Sequence, residues 1–159
     1  MRERAATTTA CLADAAVDAF VAAVGTPDPG LIEEGRYSVA EEEGAIVGCG
    51  GWSLAAPAYA RMIAGVAVNG GPAPTVRAMY VEPARAGRGI GGGMLGHVEA
   101  AILAAGFRRA VLPASPMGLA FHLRRGCRPL GTVALKLPGG HTIASTEMDK
   151  LLAPERRAA

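Results

Sequence analysis

Hydrophobic positions along the chain alternate between helical spacing and strand spacing, and each switch marks an element. Leu12, Ala16, Ala19, Phe20 and Ala23 share one helical face, so a helix is expected from Thr9 to Val24, ended by Gly25 and Pro27. Leu31 to Glu34 reads as a short second helix stopped by Gly35. Tyr37 to Ala40 and Ile46 to Trp52 read as a strand pair joined by a solvated acidic turn, Glu41-Glu42-Glu43-Gly44. Val76 to Val81 is the plainest strand: Val76, Ala78 and Tyr80 alternate with Arg77, Met79 and Val81, and Pro83 helps end it. Ile90, Met94, Val98, Ala101, Ile102 and Ala105 form the strongest helical stripe, stopped by Gly106. Arg109 to Ala114 reads as a buried strand ended by Pro113 and Pro116, and Leu119 to Arg125 as a short helix closed by Gly126. Val133, Leu135 and Leu137 alternate in a further strand. Pro138-Gly139-Gly140 turns it, and Thr142 to Met148 returns as its partner. This order predicts a mixed α/β fold layered around one sheet.

The 159 residues suit one domain with one core. Half are hydrophobic but only 4 % are aromatic, so the core must be built from Ala, Val, Leu, Ile and Met. Leu54 to Pro74 is a soft Ala-, Gly- and Pro-rich segment whose only formal charge is Arg61; a loop of that length is usually functional or mobile. A net charge of +2, with no basic cluster interleaved with aromatics, argues against a nucleic-acid partner. Cys11, Cys49 and Cys127 are odd in number and far apart, which speaks for free thiols rather than a disulfide framework or a zinc site. Asp14 and Asp18 interrupt the Ala-rich start, and no run of about 20 apolar residues exists to span a bilayer. A soluble cytoplasmic protein is expected, with no membrane partner and no metal; a homodimer is compatible with this reading.

The segment with chemical content begins at Val76 and passes through Glu82-Pro83 to Gly87-Arg88-Gly89-Ile90-Gly91-Gly92-Gly93, which opens the long helix. A strand, a glycine-rich turn and a helix N-terminus together point backbone N–H groups and the positive end of the helix dipole at one centre. Arg85 and Arg88 add charge at its rim. The expected guest is a phosphate or pyrophosphate. A nucleoside triphosphate site would place Lys-Ser/Thr after the glycines, where Met94 and Leu95 stand. A dinucleotide site would place an acid about 20 residues on, yet no Asp or Glu occurs between Glu99 and Glu147.

Met79-Tyr-Val-Glu-Pro-Ala-Arg-Ala-Gly-Arg-Gly-Ile-Gly91 resembles the pyrophosphate-binding motif of the GNAT superfamily of N-acyltransferases. Ser115-Pro-Met-Gly-Leu-Ala-Phe-His-Leu-Arg-Arg-Gly-Cys127 resembles that superfamily's second motif, and Pro138 to Lys150 resembles its closing hairpin. The likeness runs from about Arg36 to Leu152, with residues 1–35 as a weakly matched N-terminal part of the same single domain. Arg2 to Thr8 is the one candidate for the family's first strand. The resemblance implies a mostly antiparallel sheet of six to seven strands with helices on both faces. It implies acetyl-CoA as acyl donor and a primary amine, of a small molecule or a protein, as acceptor.

On the same resemblance, Met79, Tyr80 and Val81 would bind the pantetheine arm and thioester, with a backbone N–H near Val81 stabilising the oxyanion. Ala86, Gly87, Arg88, Gly89, Ile90, Gly91 and Gly92 would hold the pyrophosphate, and Ser115 would contribute from the second motif. The chain departs from the family at three positions. Ala86 replaces the usual Arg or Gln, so that contact must come from backbone or from Arg85 and Arg88. Cys127 replaces an aromatic. His122 stands at the tyrosine that protonates the leaving thiolate. An imidazolium donor there would give activity a high-pH limb set by His122. Glu82 is the candidate base toward the acceptor ammonium. His97 and His141 read as surface residues, Cys49 and Cys127 as packing residues, and Trp52 as core or groove wall. The lost tyrosine keeps a second reading open, a non-catalytic acyl-CoA-binding module on the same fold.

Overall fold

The computed structural model describes residue 19 and residues 29–55 and 73–153. Apart from Ala19, the first expected helix lies outside the described residues, as do the Arg2 to Thr8 strand, Cys11 and most of the Leu54 to Pro74 segment. Six strands form one sheet in the order β1-β2-β3-β4-β6-β5, comprising β1 (Tyr37–Glu42), β2 (Ala45–Ser53), β3 (Thr75–Val81), β4 (Arg109–Ala114), β5 (Arg128–Lys136) and β6 (Thr142–Leu151). Every neighbouring pair is antiparallel except β3 with β4. Among the described residues, the helices that accompany the sheet include α1 (Pro29–Glu33), α2 (Ile90–Ala104) and α3 (Pro116–Arg124).

Two helices sit on opposite faces, as the alternation along β2 shows. A β-carbon at Gly48 would meet Ile90 of α2 at 3.1 Å, whereas one at Gly51 would meet Leu31 of α1 at 3.2 Å. Positions an odd number of residues apart on a strand point to opposite faces. The expected mixed, mostly antiparallel fold with helices on both faces is therefore the fold observed.

Helix α2 buries Leu95, Val98 and Ile102 against Trp52, Val76, Leu112, Ala114 and Met148, while Met94 is buried on the side of Val39 and Val47. Each such side chain contributes about 1.5–3 kcal/mol by leaving water. The buried stripe differs from the expected one at its ends: Ala105 is exposed beyond the helix, and Leu95 joins the core. Trp52 is core, edge-on to Phe107 with ring centroids 6.2 Å apart, and the Arg36 guanidinium lies 4.1 Å from its ring centre. Cys49 and Cys127 are free and buried.

Three strands are tied by one buried carboxylate. Asp149 of β6 accepts from Arg109 of β4 at 2.9 Å and from Arg128 of β5 at 3.1 and 3.2 Å. Burial would raise its pKa, but the arginine hydrogen bonds outweigh burial and hold it below the ordinary carboxylate range.

The acidic turn is shorter than its sequence suggests. Strand β1 continues through Glu42, so the turn is Glu43-Gly44, both residues left-handed at φ 53° and 79°. Such two-residue turns match the twist of a hairpin. Among the described residues, no helix is long and apolar enough to cross a membrane.

Candidate acyl-donor cleft

Strands β3 and β4 share a single register, Thr75 opposite Val111, supported by the Val111 N–H donating to the Pro74 carbonyl at 2.9 Å. Beyond it they part. The C-terminal half of β3 thus has β2 on one side and an open cleft on the other. Pro113 is tolerated inside β4 for the same reason, since a residue that cannot donate belongs where the ladder has ended.

The expected alternation along β3 fails at Ala78. Between paired registers, Arg77 opposite Gly51 and Tyr80 opposite Cys49, β3 holds two residues and β2 only one. This is a β-bulge, and Ala78 takes φ 56° within it. Val76 and Arg77, just ahead of it, are both buried. The Cys49 thiol lies 3.7 Å from the Ala78 carbonyl and donates to it at the bulge. The bulge shifts the register of Met79, Tyr80 and Val81, the residues the family resemblance assigns to the pantetheine arm.

After Val81 the chain turns at once. The Glu82 N–H donates to the Val47 carbonyl at 2.9 Å, Pro83–Arg85 makes a 3-10 turn, and Gly89 caps α2 at φ 88°. A left-handed N-cap suits glycine because any β-carbon would be strained there. No side chain caps α2, and its first turn holds no acid, so neither a cap nor its own first turn offsets the positive end of its dipole. Gly91 sits where the elements converge: a β-carbon on it would lie 3.4 Å from Val81 of β3 and 3.6 Å from Phe121 of α3.

The rim arginines are already engaged. Arg85 and Arg88 both pair with Glu42 of β1, the latter at 3.1 Å, and Glu82 faces Arg85 at 3.8 Å. The expectation that these arginines cover for Ala86 thus meets a competing carboxylate.

Helix α3 forms the other wall. Ser115 caps it, its Oγ accepting from the Gly118 N–H at 3.1 Å, which fixes where the helix begins. The expected helix start at Leu119 moves back to Pro116, a proline suited to a first helical position. His122 is 7 % exposed, stands edge-on to Phe121, and its Nδ1 is buried with no hydrogen-bond partner. Burial, aided by the charge of Lys150, lowers its pKa to about 4. The ring is therefore neutral at neutral pH, and the expected imidazolium with its high-pH limb does not fit this environment. Lys150 in turn holds Glu99 at 2.6 and 2.8 Å.

One residue at this corner was not singled out in the sequence. The Arg125 guanidinium lies 5.6 Å from the Phe121 ring centre and fills the space a side chain on Gly92 would take. The signal available was Gly92, the middle of three consecutive glycines, which neither the turn nor the cap requires.

His97 stands apart from the cleft. It is exposed, hydrogen-bonds Ser38 at 3.1 Å, and lines an open groove of 420 Å³ with Glu41, Glu42, Ile90 and Met94. That groove contains none of Val81, Gly91, Ser115 or His122. Among the described residues, no group of His, Cys, Asp and Glu is arranged to hold a metal.

Comparison with known proteins agrees with this geometry. A family model for the acetyltransferase (GNAT) domain matches residues 33–126. The sequence matches no curated protein. Among solved structures, a GCN5-related N-acetyltransferase from Rhodopseudomonas palustris superposes with TM-score 0.71 at 20 % identity, over 95 % of this chain and 86 % of its own. The PaiA N-acetyltransferase from Thermoplasma acidophilum, solved with coenzyme A, gives 0.62 at 12 % identity over 94 % and 87 %. A ribosomal-protein-alanine N-acetyltransferase from Brucella melitensis gives 0.59 at 19 % over 78 % and 74 %. At these identities the likeness is one of fold.

Proposed function

The chain belongs to the GNAT acetyltransferase family, and on that footing we propose that it transfers an acetyl group from acetyl-CoA to a primary amine by direct attack. The observation that carries this reading is the convergence at Gly91, where the uncapped start of α2 opens onto the gap between β3 and β4. An elongated ligand with an anionic middle suits that path: phosphates at the helix start and an extended arm along the free edge of β3. The coenzyme A held by the Thermoplasma acidophilum relative on the same fold supports the assignment.

Bound acetyl-CoA supplies the thioester and a thiolate leaving group. The chain's part is to orient and to manage charge. Gly87, Gly89, Gly91 and Gly92 bring backbone N–H groups close to the pyrophosphate, with Ala86, Arg88 and Ile90 completing the turn. Met79, Tyr80 and Val81 hold the arm, and an N–H near Val81 faces the developing oxyanion. Glu82, at the end of β3, accepts a proton from the acceptor ammonium. The neutral His122 ring serves the leaving thiolate by N–H hydrogen bonding, and the thiolate takes its proton from solvent. Ser115 sets the start of α3 and through it the position of His122.

The alternative of a binding module without turnover draws on that same neutral histidine where the family has tyrosine. Thiol release from acetyl-CoA across an amine panel separates the two. Amine-dependent release supports the enzyme. Thermal stabilisation by CoA without any release supports the module.

A further inference from the structure

Arg125 reaches from the end of α3 to the start of α2. It follows the last turn of α3, where its N–H donates to the Phe121 and His122 carbonyls at 3.2 and 3.1 Å and Gly126 then ends the helix at φ 81°. Its guanidinium runs back along Phe121 to the first turn of α2, over Gly92. A residue with any β-carbon at position 92 would overlap Nη2 of Arg125.

The electrostatics there are one-sided. The N-terminal end of α2 carries partial positive charge, its first turn holds no acid, and a full positive charge is packed against it. Elsewhere the described ion pairs compensate their cations: Arg85 and Arg88 with Glu42, Arg109 and Arg128 with Asp149, Lys150 with Glu99. No described carboxylate pairs with Arg125. Two like-signed features face one another with only the stack on Phe121 to hold the side chain. An anion between them reverses the sign of the interaction, and guanidinium offers forked donors that match phosphate oxygens.

We propose that Arg125 binds the pyrophosphate of the acyl-CoA, supplying from α3 the cationic contact that Ala86 cannot make from the turn. This rests on the acyl-CoA reading above. Gly92 has a role within it: its missing side chain is the opening through which Arg125 reaches the site.

The test is calorimetric titration of the full chain with CoA and with 3′-dephospho-CoA, comparing wild type with Arg125→Gln, Arg125→Lys and Arg124→Gln. Arg125 is exposed, so the glutamine variant keeps its melting temperature. The expected result is a loss of about tenfold or more in affinity for both ligands in Arg125→Gln, in line with a charge-assisted hydrogen bond. Arg125→Lys recovers part of it, and Arg124→Gln binds as wild type. Wild-type affinity in Arg125→Gln overturns the proposal. A loss seen with CoA and absent with 3′-dephospho-CoA also overturns it, because it moves the contact to the 3′-phosphate. Failure of the wild type itself to bind CoA removes the acyl-CoA reading, an outcome separate from either.

Discussion

Thr75 stands opposite Val111 in the one register that joins β3 to β4, and past that pair the two strands diverge. The divergence leaves the edge of β3 open just where the bulge at Ala78 and the turn at Glu82 redirect the chain. Gly91 then brings the start of α2 against both Val81 and Phe121, so the cleft narrows at a residue without a side chain.

Gly89 and Gly91 should therefore fail differently when replaced. Gly89 is left-handed, and a side chain there is strained whatever space surrounds it. Gly89→Ala should lower stability by about 1–2 kcal/mol. Gly91 has no positive φ, and a β-carbon on it makes ordinary contacts, so Gly91→Val should fold. Its side chain nevertheless fills the gap between Val81 and Phe121, and CoA affinity should fall at least about tenfold by calorimetry. Denaturation and titration run on both variants check the contrast; equal affinity in wild type and Gly91→Val removes the cleft from this position.

His122 should make stability depend on acid. Its folded pKa is about 4 against an ordinary 6.5. Below pH 6.5 the unfolded chain takes up a proton that the folded chain refuses until about pH 4. Stability should fall across that window as pH drops, level off below it with respect to this group, and be flat in the same window for His122→Phe. Kinetically, the neutral ring predicts no activity limb from His122 between pH 7 and 9. His122→Phe should lower turnover with CoA affinity kept, and His122→Tyr should restore it. Urea melts from pH 4 to 8 on wild type and His122→Phe decide the first point: parallel curves would contradict a buried neutral histidine.

Asp149→Asn should weaken the joint between β4, β5 and β6. The substitution leaves Arg109 and Arg128 without their shared carboxylate. Both guanidinium groups are partly solvated, so the loss should be moderate, roughly 1–3 kcal/mol at neutral pH. The carboxylate's contribution is present above its ordinary pKa and disappears as pH falls through its depressed folded value, so wild type and variant should converge in strong acid. Chemical denaturation at neutral and acid pH measures both effects.

Much of this was legible because the signals were local. Helix α2 announced itself through Met94, Val98 and Ile102 at helical spacing, and the glycines ahead of it marked the turn. The closing hairpin followed from Pro138-Gly139-Gly140. What sequence alone could not place were the effects of elements distant along the chain. The bulge at Ala78 depends on how β2 pairs, and alternation along β3 alone suggests a regular strand. Glu42 looked like the tip of a turn because its partners, Arg85 and Arg88, lie more than 40 residues on. The neutral state of His122 comes from burial and from Lys150 of β6. The place of Arg125 over Gly92, more than 30 residues earlier in the chain, depends on how α3 packs beside α2.

The central claim is acyl transfer to an amine, and following the acetyl carbon tests it most directly. The wild-type chain is incubated with acetyl-CoA labelled in the acetyl group and a panel of primary amines, and products are read by mass spectrometry. Label is expected in an amide of at least one amine, with free CoA released in equal amount and less label transferred at limiting acetyl-CoA when Gly91→Val replaces the wild type. Label that stays in the thioester with every amine, while CoA still binds, would contradict the account and leave a module that holds acyl-CoA without using it.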